Sequence, residues 1–270
     1  MVTIATFYHF AALPDCATLQ PAYKAAMLAH NLTGTILVTP EGINATIAGP
    51  AQGIAAMLEY LRADPRLTAM PHKQSFAEAN PFLRTKVKLK QETIPLGTVV
   101  DPTTPGTYVK PTAWNALIAD PRTITIDTRN DYEVKIGQFT GALNPATRTF
   151  KQLPGWLEAN LPEDPETPIA MYCTGGIRCE KSTAYLRQQG YTNVYHLEGG
   201  ILKYLEEVPE AESLWQGACY VFDDRVAVNH DLSPATHLQT CPCCNTPVNA
   251  ADHRRAADRQ TFACAACRPE

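Results

Sequence analysis

The chain has 270 residues, 45% of them hydrophobic and 19% charged, a composition typical of a globular protein with room for two domains and a small third. Its net charge of −4 does not by itself indicate a nucleic-acid-binding protein, and no apolar run approaches the length of a membrane span. Nine cysteines, an odd number, argue against a disulfide framework and favour reduced thiols with a metal site, so we expect a cytoplasmic protein.

Strand and helix patterns alternate through the first 95 residues in the order β-α-β-β-α-β. Strands are predicted at 2–10, 32–39 and 41–47, helices at 19–30 and 53–62, and a fourth strand in the 70s or 80s. Pro21 is expected in the first turn of its helix. This order predicts a ferredoxin-like, split βαβ domain over residues 1–95.

Two features of this first domain are candidates for a functional role. A turn between two predicted strands ends at Asn44, and it is either a plain hairpin or a ligand contact. Strand alternation places Lys86, Lys88 and Lys90 on one face, where three like charges repel each other unless they are solvated or face phosphate. The alternative is a solvated edge strand protected from association by its lysines.

The middle of the chain changes from connector to a second domain. Residues 91–113 are rich in Pro and Gly and predict a connector with little structure of its own, with the linker proper at 96–110. A short helix at 114–119 follows, and strands then alternate with helices through residues 111–215. That alternation predicts an α/β domain with a mainly parallel sheet.

Cys173 stands at the junction between a predicted strand and a predicted helix. The apolar run 168–172 ends at this cysteine, Gly175 and Gly176 follow, and a helical pattern begins at Ile177. Backbone N–H groups, the positive end of the helix dipole and the charge of Arg178 would all favour a thiolate. The pattern is typical of a nucleophile or sulfur carrier; the alternative is a buried structural cysteine.

Other residues near this junction each allow two interpretations. Asp127 and Arg129 end a predicted strand and either organise the wall of the active site or form a buried ion pair or helix cap. Cys179 either resolves an oxidised Cys173 as a disulfide partner or points into the core. Arg178 and Lys181 are expected beside an anion pocket. The loop itself comprises Thr174, Gly175, Gly176, Ile177 and Cys179.

The C-terminal extension, residues 216–270, carries a cluster of cysteines. An alternating segment at 220–228 predicts an edge strand. Cys241-x2-Cys244 and Cys264-x2-Cys267, with nineteen residues between the pairs, have the spacing of a structural zinc ribbon. Cys243 is a surplus thiol and His253 a weaker candidate ligand. The alternative is a cysteine-rich tail without metal.

Four segments in order resemble those of rhodanese-type domains. Cys-Thr-Gly-Gly-Ile-Arg at 173–178 looks like the active-site loop, and Ile-Thr-Ile-Asp-Thr-Arg at 124–129 looks like the Asp-x-Arg strand end. Residues 137–144 look like the Gly-His-Ile-x-Gly-Ala-x-Asn loop, with Gln138 in place of His. Residues 197–204 look like Leu-x-Gly-Gly-x-x-x-Trp, with Tyr204 in place of Trp.

The whole chain resembles the rhodanese-domain tRNA uridine hydroxylases, which combine a ferredoxin-like domain, a rhodanese domain and a cysteine-containing extension. Segments 41–46, 86–90, 173–182, 197–205 and 221–226 carry this likeness. The resemblance implies an α+β domain followed by an α/β domain and a small Cys-rich extension. It also implies oxygen-dependent hydroxylation of the wobble uridine to 5-hydroxyuridine, with the tRNA anticodon stem-loop as partner.

The mechanism follows from the cysteine, since the sequence contains no flavin or nicotinamide fingerprint, no iron triad and no haem attachment motif. Addition of the Cys173 thiolate to C6 of uracil would make C5 electron-rich enough to react with molecular oxygen. A plain sulfurtransferase would instead carry a persulfide on Cys173. A phosphatase is disfavoured because phosphatase relatives carry a longer loop. A non-enzymatic module that binds zinc and RNA is disfavoured because it would not need so well-formed a loop around Cys173.

Overall fold

A computed structural model describes residues 1–223, 225–241, 244, 246–249, 264 and 267. The chain forms two compact units, Met1–Pro95 and Leu96–Glu270. Cys243 and His253 lie outside the described residues. In the part of the chain that the structure describes, no helix is both long and apolar enough to cross a membrane.

Unit 1 is built on one five-stranded sheet with the strand order β4-β1-β3-β2-β5. Its elements are β1 Val2–Phe10, α1 Cys16–Ala29, β2 Thr33–Thr39, β3 Gly42–Gly49, α2 Ala51–Arg62, β4 Lys73–Ala77 and β5 Thr85–Leu89. Neighbouring strands among the first four are antiparallel, while β5 runs parallel to β2. The ferredoxin-like prediction is confirmed, and β5 extends that fold by one strand.

Strand alternation separates the two faces of this sheet. Side chains such as Phe7, Ile36 and Ile47 point to the side of α1 and α2 and form the hydrophobic core. The opposite face carries the polar residues of each strand. The core side is the one that fixes the register, because a slip by one residue would bring the polar face inward.

Two local predictions for unit 1 need correction. Helix α1 begins at Cys16, so Pro21 lies inside it and not in its first turn. The turn between β2 and β3 consists of residues 40 and 41, and Asn44 already belongs to β3. The Glu41 carboxylate accepts a hydrogen bond from the backbone N–H of Thr93 at 2.6 Å, which holds the end of the unit against this turn.

Unit 2 alternates short strands with helices. Its elements are β6 Thr107–Val109, α3 Pro111–Ala119, β7 Ile124–Asp127, α4 Asp131–Val134, β8 Gly137–Phe139, α5 Leu153–Asn160, β9 Ile169–Tyr172, α6 Ile177–Gln188, β10 Val194–Leu197, α7 Gly200–Glu207, β11 Trp215–Gly217, β12 Cys219–Tyr220, β13 Ala227–Val228, β14 Leu238–Thr240 and β15 Pro247–Asn249. Single 3-10 turns occur at Phe150–Gln152 and Glu210–Glu212.

The central sheet of unit 2 has the order β6-β10-β9-β7, and every pairing in it is parallel. The predicted α/β domain with a parallel sheet is therefore confirmed. Its edge strand β6 lies in residues 107–109, which composition predicted as connector; these residues pair with β10. Strand β9 occupies a central place, and ligands in such sheets bind at the carboxyl ends of the strands.

An aromatic cluster packs under the carboxyl end of β9. Trp114, Phe139, Tyr172, Tyr204 and Trp215 are all buried, and the Phe139 ring meets those of Tyr172 and Tyr204 edge-on at 4.8 and 4.7 Å. The Tyr204 hydroxyl donates to Asn115 Oδ1 at 2.7 Å and accepts from the Leu214 N–H at 2.9 Å. Tyr204, which stands at the tryptophan position of the Leu-x-Gly-Gly-x-x-x-Trp motif, thus connects α7 to α3 and to the segment before β11.

The segment at 220–228 does not form the single edge strand that its alternation predicted. It contributes to two short strands, β12 and β13, which pair with each other in an antiparallel hairpin. Beyond it, β14 and β15 form a second hairpin. The correction has a simple cause: alternation describes the two arms of a hairpin as well as it describes one longer strand.

Candidate active site

Cys173 follows directly after β9, at the carboxyl edge of the parallel sheet. All four residues of β9 are buried, and Cys173 itself is 0% exposed. Its Sγ accepts a hydrogen bond from the backbone N–H of Gly176 at 3.1 Å. Gly176 has φ of 101°, a left-handed conformation that favours glycine, and it is the N-cap of α6. The loop therefore turns its N–H groups towards the sulfur at the positive end of the helix.

This environment keeps Cys173 ionised. Burial alone would raise the pKa of the thiol. The hydrogen bond from the Cys179 thiol, the charge of Arg178 and the N–H groups of Cys179 and Gly176 outweigh burial and lower the pKa to about 5. Cys173 is consequently a buried thiolate at neutral pH, which is the reactive form of cysteine.

Cys179 is a second buried thiol in contact with the first. It lies in the first turn of α6, is 0% exposed, and hydrogen-bonds to the Cys173 sulfur. The Thr128 hydroxyl is 3.5 Å from its Sγ. Burial and the neighbouring Cys173 thiolate raise the pKa of Cys179 well above its usual range, so this thiol keeps its proton. Neither cysteine is in a disulfide.

Arg178 is neutralised by a carboxylate that the sequence did not reveal. Its two terminal nitrogens donate to Glu133 Oε1 at 2.6 Å and Oε2 at 2.8 Å, with both side chains almost fully buried. Burial would raise the pKa of Glu133, but the charge of Arg178 and its hydrogen bonds lower it, so both groups stay ionised. The anion pocket expected at Arg178 and Lys181 stays a prediction, and two observations weigh against it: Arg178 is paired with Glu133, and Lys181 is 1% exposed.

Asp127 and Arg129 form a second buried ion pair. Arg129 donates to Asp127 Oδ2 at 2.6 Å, and neither side chain has any exposed surface. The guanidinium also donates to the carbonyl oxygens of Glu133 and Gly137 and lies 5.1 Å from the Trp215 ring. These contacts connect β7 to α4 and β8, so the geometry favours the ion-pair interpretation over direct contact with a substrate.

Helix α7 holds the catalytic loop from the other side. The N–H groups of Ile201 and Leu202 donate to the carbonyls of Cys173 and Thr174 at 2.9 and 3.1 Å. A Cβ at Gly200 would lie 2.5 Å from the Cys173 carbonyl oxygen, so only glycine allows this approach. The Gly-Gly element that follows β10 is therefore part of the site.

Three aromatic rings lie in a row that ends at the surface. The Phe222 ring is 68% exposed, and the Arg178 guanidinium lies 5.9 Å from its centre. Phe222 meets Tyr220 edge-on at 5.1 Å, and Tyr220 meets Tyr132 at 5.3 Å. Arg178 in turn lies 3.4 Å from the Thr174 hydroxyl in the catalytic loop. The exposed Phe222 ring is thus connected to the Cys173 loop through Arg178.

The predicted RNA-binding residues lie on the sheet face of unit 1 that is opposite the helices. Lys86 and Lys88 of β5 are exposed on that face, Val87 between them is buried on the other, and Lys90 is exposed just beyond the strand. Lys88, Leu37 and the half-buried Asn44 follow one another across neighbouring strands. A second row crosses all five strands, consisting of Lys73, Thr6, Thr46, Thr35 and Lys86.

Four cysteines of the C-terminal extension lie together. The Sγ atoms of Cys241, Cys244, Cys264 and Cys267 are all within 4.8 Å of one another, and those of Cys244 and Cys264 are 3.6 Å apart. A zinc ion with tetrahedral thiolate ligands at about 2.3 Å needs sulfur atoms roughly 3.8 Å apart. The cluster therefore fits a metal ion of that kind.

Comparisons with known proteins cover both units. Residues 2–93 match the UPF0176 acylphosphatase-like domain, and residues 110–207 match the rhodanese-like domain. A protein from Rhizobium leguminosarum named tRNA uridine(34) hydroxylase is 50% identical over 98% of this chain and 86% of its own length. The chain belongs to this hydroxylase family. A relative of the same name from Albidiferax ferrireducens is 53% identical over 92% of this chain and 79% of its own length.

Solved structures similar to this chain include two rhodanese-type proteins. A rhodanese-like domain from Anabaena is 17% identical, with a TM-score of 0.34, and the match covers 42% of this chain and 80% of that one. A rhodanese-related protein from Thermoplasma volcanium is 22% identical, with a TM-score of 0.32, and the match covers 38% of this chain and 93% of that one.

Three residues near Cys173 were not predicted from the sequence: Glu133, Phe222 and Gly200. Glu133 had a local signal, because Asn130 and Glu133 form a capping box at the start of α4. That pattern did not show that the carboxylate also reaches Arg178. Phe222 lay in a segment that carried the family resemblance, and Gly200 in another. Their roles depend on which segments the fold brings to the catalytic loop.

The ionisation of Cys173 gives a prediction for pH. Because its pKa is lowered to about 5, the thiolate should persist from neutral pH down to that value and be lost as the pH falls through it. The measurement is the ultraviolet absorbance of the thiolate, taken as the difference between the wild type and Cys173→Ser at each pH. Hydroxylation should decline over the same range. A midpoint near the ~8.5 of an ordinary thiol would contradict this account of the loop.

Proposed function

We propose that this chain hydroxylates C5 of uridine 34 in tRNA with molecular oxygen, using Cys173 as the nucleophile. The observation that carries the proposal is the buried Cys173 thiolate at the carboxyl edge of the parallel sheet, in a chain whose close relatives are named tRNA uridine(34) hydroxylases. Reduced thiols and a tRNA substrate support a cytoplasmic location. The sulfurtransferase alternative is not favoured by these relatives.

The thiolate would act on the base by conjugate addition. Its attack on C6 of uracil moves the electron pair of the C5–C6 double bond towards C5, which then reacts with oxygen; Cys173 leaves after hydroxylation. The base itself is uncharged, which is consistent with a site whose Arg178 is already paired with Glu133. The loop N–H groups would stabilise the sulfur both before attack and after departure.

Two parts of the site would act through their neighbours. The Asp127–Arg129 pair holds the strand end beside the loop and would be a positioning pair. The Arg178–Glu133 pair connects α6 to α4 and keeps the Thr174 hydroxyl in place, since both Glu133 and Arg178 lie within 3.5 Å of it. Because Cys173 is 0% exposed, RNA binding must open the loop before the sulfur reaches a base.

Phe222 would receive the uridine or a neighbouring base. Anticodon-loop bases can leave their stack and lie against aromatic side chains, which single-stranded RNA-binding proteins use repeatedly. Phe222 is largely exposed and is held beside Arg178 by Tyr220. A base stacked there would lie next to the catalytic loop.

The helix-free face of unit 1 would bind the RNA backbone. Lys86, Lys88 and Lys90 present their charges on or beside one edge strand, and Lys73 stands at the opposite edge. Threonine hydroxyls and Asn44 lie between them and offer hydrogen bonds to phosphate or ribose. This arrangement suits a backbone contact better than base readout.

The cysteine cluster would bind zinc in a structural site with four thiolate ligands. Cys241, Cys244, Cys264 and Cys267 would hold it, and a closed site of four thiolates supplies folding energy to a short segment. No chemistry at Cys173 is assigned to this metal.

Nucleoside mass spectrometry tests the function directly. Transfer RNA from cells that lack the gene should lose 5-hydroxyuridine and its derivatives, and wild type should restore them while Cys173→Ala does not. Cys16→Ala, which removes a cysteine from α1 of unit 1, is the matched control and should restore them as well. Unchanged modification in the deletion strain would refute the hydroxylase function and direct attention to thiosulfate:cyanide sulfur transfer.

Replacement of Phe222 should weaken substrate binding more than turnover. Loss of one base stack costs about 1–3 kcal/mol, so Phe222→Ala should raise the KM for an anticodon stem-loop about tenfold or more, while Phe222→Tyr stays close to wild type. Phe76→Ala, which removes a phenylalanine of similar exposure on β4, serves as the control. An unchanged KM in Phe222→Ala would rule out stacking at this ring.

Charge reversal on each face of unit 1 tests which face binds RNA. Lys86→Glu should weaken stem-loop binding and lower the slope of log Kd against log salt concentration by about 1, because one phosphate contact is lost. Lys24→Glu changes the same charge on the exposed surface of helix α1, on the other side of the sheet, and should have little effect. Equal losses from both variants would show a general charge effect rather than a binding face.

Metal analysis tests the cysteine cluster. Protein purified without chelators should contain about one zinc ion per chain, and Cys264→Ser should lose it, because three thiolates do not close a structural site. Cys243→Ser, the neighbouring surplus thiol, is the control and should keep the metal. Zinc removal should lower the melting temperature. Metal-free wild-type protein that melts at the same temperature would exclude a structural zinc site.

A further inference from the structure

Hydroxylation with oxygen has an electron requirement that the thiolate nucleophile alone does not meet. One oxygen atom enters the base and the other ends as water, so two electrons must come from a donor. Cys173 and Cys179 are two buried thiol groups in direct contact, one ionised and one protonated. The nucleophilic mechanism uses Cys179 only as a hydrogen-bond donor to the Cys173 sulfur, and leaves its reducing capacity unused.

We propose that Cys173 and Cys179 together supply these two electrons and end each turnover as a disulfide. This inference rests on the proposed function, because it assumes that oxygen reacts at C5 of a uracil bound to Cys173. An external dithiol reductant then restores both thiols. Cys179 is thereby a catalytic residue, since its sulfur would touch the reacting oxygen.

The steps balance in atoms and electrons. Addition of the Cys173 sulfur to C6 breaks the C5–C6 double bond and leaves an electron pair on C5. Oxygen takes up that pair and a proton, which forms a C5 hydroperoxide. The Cys179 sulfur attacks the outer oxygen and the O–O bond breaks, leaving a hydroxyl group on C5 and a sulfenic acid on Cys179.

The remaining steps release the product. Loss of the C5 proton expels the Cys173 sulfur from C6 and restores the double bond. Cys173 then attacks the sulfenic acid, which forms the disulfide and one water molecule. In sum, uridine, oxygen and two thiols become 5-hydroxyuridine, water and one disulfide.

The position of Cys179 suits both of its steps. Its thiol hydrogen-bonds to the Cys173 sulfur and therefore lies beside whatever Cys173 binds. Thr128 places a hydroxyl 3.5 Å from it, within reach of the oxygen that leaves. Gly175, on the loop between the two cysteines, is exposed and has nothing within 4 Å of an added Cβ, so the loop has room to adjust as the sulfurs join.

Another buried cysteine of unit 2 serves as a comparison. Cys219 is also 0% exposed, and burial raises its pKa to about 12 despite the nearby charge of Arg129. Its Sγ contacts the Tyr220 carbonyl oxygen at 3.7 Å. Cys219 is thus an unreactive thiol in the same unit, and its removal should leave the electron supply intact.

A single-turnover experiment tests the inference. The full chain is reduced, freed of reductant, and mixed with oxygen and an anticodon stem-loop that carries uridine 34. The wild type should form about one 5-hydroxyuridine per chain and stop, peptide mapping should find a Cys173–Cys179 disulfide in equal amount, and added dithiol should restart turnover. Cys179→Ser should lose at least nine tenths of the burst, whereas Cys219→Ser should keep it.

Cys179→Ser must also be shown to be folded. Its stem-loop Kd and the thiolate absorbance of Cys173 should match those of the wild type, because the serine hydroxyl can donate the same hydrogen bond. Two results would contradict the proposal that Cys173 and Cys179 supply the electrons. One is repeated turnover by wild type without reductant and with both thiols intact, and the other is a full burst by Cys179→Ser. Wild type that forms no 5-hydroxyuridine even with dithiol present would instead refute the proposed function, and the inference with it.

Discussion

Two backbone hydrogen bonds from α7 to the catalytic loop determine much of the site. The first turn of α7 binds the carbonyls of Cys173 and Thr174, and in the loop held in this way the Gly176 N–H donates to the Cys173 sulfur. The approach is so close that Gly200 has no space for a side chain. The conformation of one loop thus depends on a helix that follows a different strand.

The same loop shows how a thiolate can be stable inside a protein. Burial opposes ionisation, and the two arginines nearby are each paired with a carboxylate, Arg178 with Glu133 and Arg129 with Asp127. Short-range donors to the sulfur therefore matter as much as charge. A site balanced in this way suits an uncharged base better than a phosphate, and it distinguishes the chemistry proposed here from phosphoryl transfer.

Local patterns predicted those features of the fold that local energetics control. The alternation of β1 predicted its bounds at residues 2 and 10, and the strand–Cys–Gly–Gly–helix pattern predicted the thiolate at Cys173. The three-residue strand β6 was missed because its stability comes from pairing with β10, far along the chain. The partner of Arg178 was missed for the same reason, since only the fold brings α4 to α6.

Some interpretations failed because one pattern fits two structures. The alternation at 220–228 suited one strand as well as the β12–β13 hairpin that is present. The sequence showed the charge of Arg178 but not the Glu133 carboxylate that this charge faces. The RNA-binding face and the zinc site stay predictions. Two observations support them: two rows of residues cross the sheet of unit 1, and the Sγ atoms of four cysteines lie within 4.8 Å of one another.

The complete burial of Cys173 has a consequence for chemical biology. A thiolate with a low pKa would normally be the first site to react with electrophilic drugs and with cellular oxidants. Here the sulfur is 0% exposed while the loop is closed, so a small reagent reaches it only after the loop has opened. Since we propose that RNA opens the loop, a selective covalent inhibitor would have to imitate RNA. A small electrophile on an unrelated scaffold would leave Cys173 unmodified.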